Sequence, residues 1–111
     1  MITVKVTRND NQKIDSFLMS GHAESGPYGY DLVCAGASAV SLGAVNAIYS
    51  ILNVELDVEM KEDGGYLFCS VPASLDADTF EKVQLLLEGM VASLQSIAQE
   101  YHEHMTIIAS K

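Results

Sequence analysis

The chain has 111 residues, 49% of them hydrophobic and 19% charged, and a net charge of −9. That composition describes one globular domain, 1–111, with a modest core, and excludes a disordered chain. Only six Lys and Arg face fifteen Asp and Glu, and they do not cluster. A binder of phosphate backbones is therefore excluded, and no direct nucleic-acid contact is expected. An acidic surface keeps a domain soluble and attracts basic partners.

Residues 2–8 alternate Ile2, Val4 and Val6 with Thr3, Lys5 and Thr7, the period of a strand with one buried face. Asn9, Asp10 and Asn11 signal a turn, and 13–20 form a second strand, so the two make a hairpin. This start lacks the apolar core of a signal peptide. No apolar run approaches the roughly 20 residues that cross a bilayer. A cytoplasmic protein without membrane contact is expected, and its two cysteines form no disulfide framework.

Residues 21–30 hold three glycines and a proline and fit no regular element. So long an irregular stretch in an otherwise economical chain invites a functional reading. Residues 32–52 predict a helix with Val33, Ala37, Val40, Ala44, Ala47, Ile48 and Ile51 on its core face. Its many small residues suit close packing.

Residues 54–60 alternate Val54, Leu56, Val58 and Met60, facing in, with Glu55, Asp57 and Glu59, facing out. Asp63, Gly64 and Gly65 turn the chain back, 66–71 form the partner strand with Cys69 buried in it, and Pro72 ends that strand. Ser74 or Asp76 caps a second helix. Its core stripe is Phe80, Val83, Leu87, Met90, Leu94, Ile97 and Tyr101. Leu85, Leu86 and Val91 form a second apolar face suited to another subunit. His102 and His104 read as surface residues favoured at a helix C-terminus, and 105–109 form a short last strand. The expected fold is two-layer α+β, in the order β-β-α-β-β-α with a final short strand. Its sheet is mainly antiparallel, with both helices on one face. No phosphate-binding glycine loop is present, and neither a metal nor a cofactor is expected.

The chemistry concentrates in Gly21-His22-Ala23 and Asp31-Leu32-Val33-Cys34-Ala35-Gly36. Cysteine is the strongest ready nucleophile at neutral pH, and histidine is suited to take its proton. Asp31 stands at a helix N-cap, so Cys34 falls in the first turn with its side chain directed toward the open end. That end carries the positive pole of the helix dipole and favours thiolate. Backbone N–H groups at Ala35 and Gly36 are candidate oxyanion donors. Asp31 either caps the helix or orients His22; the frequency of aspartate at helix starts favours the cap. Most free cysteines in small domains are buried hydrophobes, so Cys34 and His22 alone are a weak signal.

The full pattern is more specific. Gly21-His22-Ala23, Gly29, Asp31, Val33-Cys34-Ala35-Gly36 and Ser38-Ala39 resemble the ribosomal-processing cysteine protease family, Prp. Ala37 departs from it, standing where a bulkier Val or Ile is common. The resemblance covers nearly the whole chain. It implies a cysteine endopeptidase that removes the N-terminal extension of large-subunit ribosomal protein twenty-seven during ribosome maturation. It implies His22 and Cys34 as a catalytic dyad, a homodimer, and a hydrophobic specificity pocket near Cys34. The loop of Ala23, Glu24, Ser25, Gly26, Pro27, Tyr28, Gly29 and Tyr30 is then expected to be mobile and to close over a basic ribosomal protein. The rival reading is a non-catalytic ribosome-associated binding module. A redox sensor is a weaker third, because no resolving cysteine lies near Cys34.

Overall fold

The computed structural model describes residues 1–23, 26, 31–61 and 64–110. Its elements are β1 (Ile2–Arg8), β2 (Ile14–Ser20), α1 (Leu32–Leu52), β3 (Asp57–Met60), β4 (Tyr66–Ser70), α2 (Ala77–Glu100) and β5 (Met105–Ser110). The five strands form one sheet in the order β3-β4-β2-β1-β5. The two expected hairpins join through an antiparallel β2–β4 pair, with Phe17 opposite Cys69 and Met19 opposite Leu67. The last strand makes the sheet mixed, since β5 runs parallel to β1 with Ile2 beside Met105. Ile2, Val4, Val6, Phe17, Leu67, Cys69 and Met105 present one face to the core, where α1 and α2 pack. This is the expected two-layer α+β architecture.

The hairpin carries an irregularity between Thr7 and Arg8. There Gln84 of α2 closes the ladder: its Oε1 accepts from Ile14 N and its Nε2 donates to Ile14 O, both at 2.8 Å. A buried glutamine is tolerated because both ends of its amide are bonded. Arg8 reaches the same helix and grips the Glu88 carboxylate with two bonds of 2.6 and 2.7 Å.

Five expectations are corrected. The strand expected over 54–60 begins only at Asp57. Val54 and Leu56 are buried ahead of it, but Val58 and Met60 are 43% and 58% exposed. Asn53 ends α1 in the left-handed conformation, and β3 then runs along the sheet edge, beyond the cover of the helices. In α1 the buried stripe is Val33, Ala37, Ser41 and Ile48, while Ile51 is 69% exposed. Buried Ser41 satisfies its hydroxyl by donating to Ala37 O at 2.8 Å.

In α2, Val91 is buried and Leu86 packs on the core, which leaves only Leu85 of the expected second face fully exposed. Tyr101 lies outside the core stripe and forms the C-cap. Finally, α1 has 21 residues and mean hydropathy 1.6, so by length and composition it is long and apolar enough to cross a bilayer. Its buried stripe faces the domain core, and the helix packs along α2.

Candidate active site

Asp31 caps α1 from extended backbone, and its carboxylate accepts from Cys34 N at 3.0 Å. The capping role anticipated for it is therefore present. The cap places Cys34 in the first turn, half-buried, with its thiol free of any disulfide. The Ala35 amide donates to Asp31 O at 2.9 Å. Cys34 N and Ala35 N are thus both engaged, and Gly36 lies within the helix. These N–H groups do not stand open at the helix start as the oxyanion reading of Ala35 and Gly36 requires.

A different amide reaches the sulfur. Ala23 N lies 3.2 Å from Cys34 Sγ. By sequence Ala23 belongs to the expected mobile loop, but it is 2% exposed and its methyl group belongs to the core. Its carbonyl accepts from His104 Nδ1 at 2.8 Å. A buried side chain and two backbone bonds hold it in place, so it belongs to the frame of the site. Glu24, Ser25, Pro27, Tyr28, Gly29 and Tyr30 lie outside the described residues. Gly26 lines the cavity beside Cys34.

His22 arrives on the short segment that follows β2. Gly21 has φ +90°, and a Cβ there would fall 2.3 Å from Met1 O, so only glycine fits. Gly21 N donates to Gly65 O at 2.8 Å, and the Met1 α-amino nitrogen donates to His22 O. The imidazole lies against the β3–β4 turn. A Cβ on Gly65 would stand 2.7 Å from His22 Nε2. Gly65, expected only as part of a turn, is therefore also the seat of the histidine ring, while a Cβ on Gly64 would come no closer to it than 4.0 Å.

His22, Asp31 and Cys34 all line one cavity of about 580 Å³. Met19, Leu42, Met60 and Leu67 supply apolar walls, and Lys61 and Tyr66 stand at the β3–β4 end. The Lys61 ammonium lies 4.7 Å from the centre of the Tyr66 ring. Cys69 is remote in role: it is buried on β4, and burial pushes its thiol up to about 11. Such a thiol is a poor partner for redox exchange with Cys34. Among the described residues, no three of His, Cys, Asp and Glu group to hold a metal ion.

His104, by sequence a surface residue like His102, is a part of the site that no local signal marks. It is partly buried and bonded to the site. Nothing local announces this, because it follows from the parallel β1–β5 pairing. That pairing brings the residue before β5 beside the residues before β1.

Comparison with known proteins agrees with this architecture. A sequence model of the family described as cysteine protease Prp matches residues 1–106. The ribosomal processing cysteine protease Prp of Bacillus subtilis strain 168 is 42% identical over 107 residues, covering 96% of each chain. A crystal structure of an essential ribosomal processing protease Prp from Staphylococcus aureus, in complex with a covalently linked product peptide, superposes with a TM-score of 0.90. It is 39% identical and covers 99% of this chain and 100% of that one. The S. aureus protease in complex with a substrate peptide superposes with a TM-score of 0.84, at the same identity and coverage. Near-complete coverage at this identity, with one fold throughout, makes the chain a member of the cysteine protease Prp family.

Proposed function

We propose that this chain is a cysteine endopeptidase with a Cys34–His22 dyad. On this reading it removes the N-terminal extension of large-subunit ribosomal protein twenty-seven during ribosome maturation. The observation that carries the proposal is a half-buried, unpaired thiol in the first turn of a helix, with an amide donor on its sulfur, sharing one cavity with an imidazole. Family membership supports it, as does the peptide held covalently by the S. aureus relative.

In the proposed reaction His22 takes the proton of Cys34, and the sulfur forms a bond to the scissile carbonyl carbon. The Ala23 N–H stabilises negative charge on the sulfur before attack. The tetrahedral oxyanion collapses, the C–N bond breaks, and the imidazolium gives its proton to the leaving amine. Water, deprotonated by His22, then attacks the thioester, releases the acid product and restores the thiol. Asp31 holds the first turn of α1, and with it the height of the sulfur in the cavity.

The apolar walls suit the hydrophobic specificity pocket that the family resemblance implies near Cys34. The charge of −9 suits a basic ribosomal protein and speeds encounter with it. The protease acts in the cytoplasm as a homodimer and makes no direct contact with nucleic acid. The test is cleavage of a peptide spanning the extension boundary. Wild type cleaves it, and Cys34→Ala loses cleavage by at least about 10³-fold, the scale of losing a nucleophile. Cleavage by Cys34→Ala at the wild-type rate overturns the proposal, and binding of the peptide without cleavage by wild type favours the non-catalytic module.

A further inference from the structure

We propose that His104 is a positioning residue of this site: its imidazole holds Ala23 so that the Ala23 N–H stays on the Cys34 sulfur. The inference rests on the protease reading and adds a residue to it that does not line the cavity.

Ala23 is gripped at both of its peptide units. In the first, the plane shared with His22, the carbonyl of His22 accepts from the Met1 α-amino nitrogen and the Ala23 N–H reaches Cys34 Sγ. Planarity couples the two, so a tilt at one end moves the other. In the second, the Ala23 carbonyl accepts from His104 Nδ1 at 2.8 Å. The remaining freedom of the residue, rotation about its own φ and ψ, is removed when both planes and the buried methyl group are held.

His104 is itself held. Its N–H donates to Tyr101 O, and its carbonyl accepts from Ile2 N, both at 2.8 Å. Ile2 follows Met1, which binds His22. A closed circuit thus runs from His104 to β1, from the start of β1 to His22, and from Ala23 back to the His104 ring.

The acceptor is a carbonyl, so the ring must carry a proton on Nδ1. The neutral Nδ1–H tautomer and the imidazolium both do so, and the role does not depend on which is present. A side chain with a donor at the same reach can replace it; one of equal bulk without a donor cannot.

The test uses the full chain with His104→Asn, His104→Phe and His104→Ala, with Cys34→Ala as control. The boundary peptide is the substrate. A second readout is the rate at which iodoacetamide modifies Cys34 at pH 7, mapped by mass spectrometry. Misplacing a reacting group by about 1 Å costs on the order of 10²-fold, and a lost donor with partial relaxation costs less. His104→Phe and His104→Ala are therefore expected to lower kcat about tenfold, with KM within about twofold, and to slow alkylation of Cys34. His104→Asn, whose amide donates, is expected to stay within about threefold of wild type.

Wild-type kcat and alkylation in His104→Phe overturn the inference. So does a His104→Asn variant that falls as far as His104→Phe, since packing would then be responsible. If wild type cleaves nothing, the protease reading fails by itself. The alkylation rates still decide the positioning role, which stands if His104→Phe is slower than His104→Asn and falls if they are equal.

Discussion

Gly65→Ala separates the cost of a strained backbone from the cost of a displaced histidine. The added Cβ would lie 2.7 Å from His22 Nε2, 3.1 Å from Cε1 and 3.3 Å from Cδ2. Ordinary contact begins at about 3.5 Å, so the ring must withdraw by roughly 0.8 Å. A ring at the end of a side chain can swing away at little cost in stability. A reacting group moved by about 1 Å, however, costs on the order of 10² in rate. The backbone adds a second term, because φ at Gly65 is +74° and a side chain there costs about 1–2 kcal/mol.

Gly64→Ala is the internal control. It has the same φ of +74°, but its Cβ would meet His22 no closer than 4.0 Å. Both variants should therefore melt lower by similar amounts, about 5–10 °C in a domain of this size. Only Gly65→Ala should lose kcat about a hundredfold, measured on the boundary peptide at a temperature where both are folded. Equal activity in the two variants refutes the assignment of the Gly65 face as the seat of His22.

Three further outcomes are expected. Asp31→Asn keeps an oxygen for the Cys34 amide, so it should hold kcat within about threefold. Asp31→Ala should lose about 1 kcal/mol of stability in a denaturant melt. A more than tenfold loss of kcat in Asp31→Asn at unchanged stability would make Asp31 an orienter of His22 instead.

Iodoacetamide at pH 8.5 should label Cys34 in the folded protein and spare Cys69, whose thiol burial pushes up to about 11. Comparable labelling of both before unfolding contradicts the burial argument. The Arg8 hydrogen bonds hold the Glu88 carboxyl below its ordinary value, against a smaller opposing effect of burial. The pair thus stabilises the fold above about pH 4.3, the ordinary value, and the gain is lost as pH falls through the lowered folded value. Because the Glu88 side chain is 44% exposed, Glu88→Gln should cost only about 0.5–1 kcal/mol at pH 7. Urea melts should show the difference from wild type vanish in acid; a difference that persists there is not electrostatic.

Local signals were legible in the chain where local physics decides the outcome. Alternation over Ile2–Arg8 and helical spacing over Leu32–Leu52 follow from backbone geometry, and both elements stand where the pattern put them. The Asp31–Cys34 cap spans three residues of one turn, so it too was readable. What failed depended on neighbours far along the chain. Val58 and Met60 alternate like core residues but lie on an edge strand, and only the sheet order reveals that. Leu86 and Val91 read as a free face, yet packing in the domain covers them.

The same division runs through the site. Reactive side chains and their glycines are chemical identities, visible in one dimension: His22, Cys34, and the Gly21 that no other residue can replace. The sequence by itself thus determined which groups are present and which turn of helix holds the sulfur. Tertiary structure alone decided what each group faces. The parallel β1–β5 pair brings His104 to Ala23, the β3–β4 turn seats His22 on Gly65, and the Ala23 amide takes the place at the sulfur expected of the helix start. Hydrogen bonds act over about 3 Å and between any two residues that the fold makes neighbours, and no periodicity along the chain encodes those meetings.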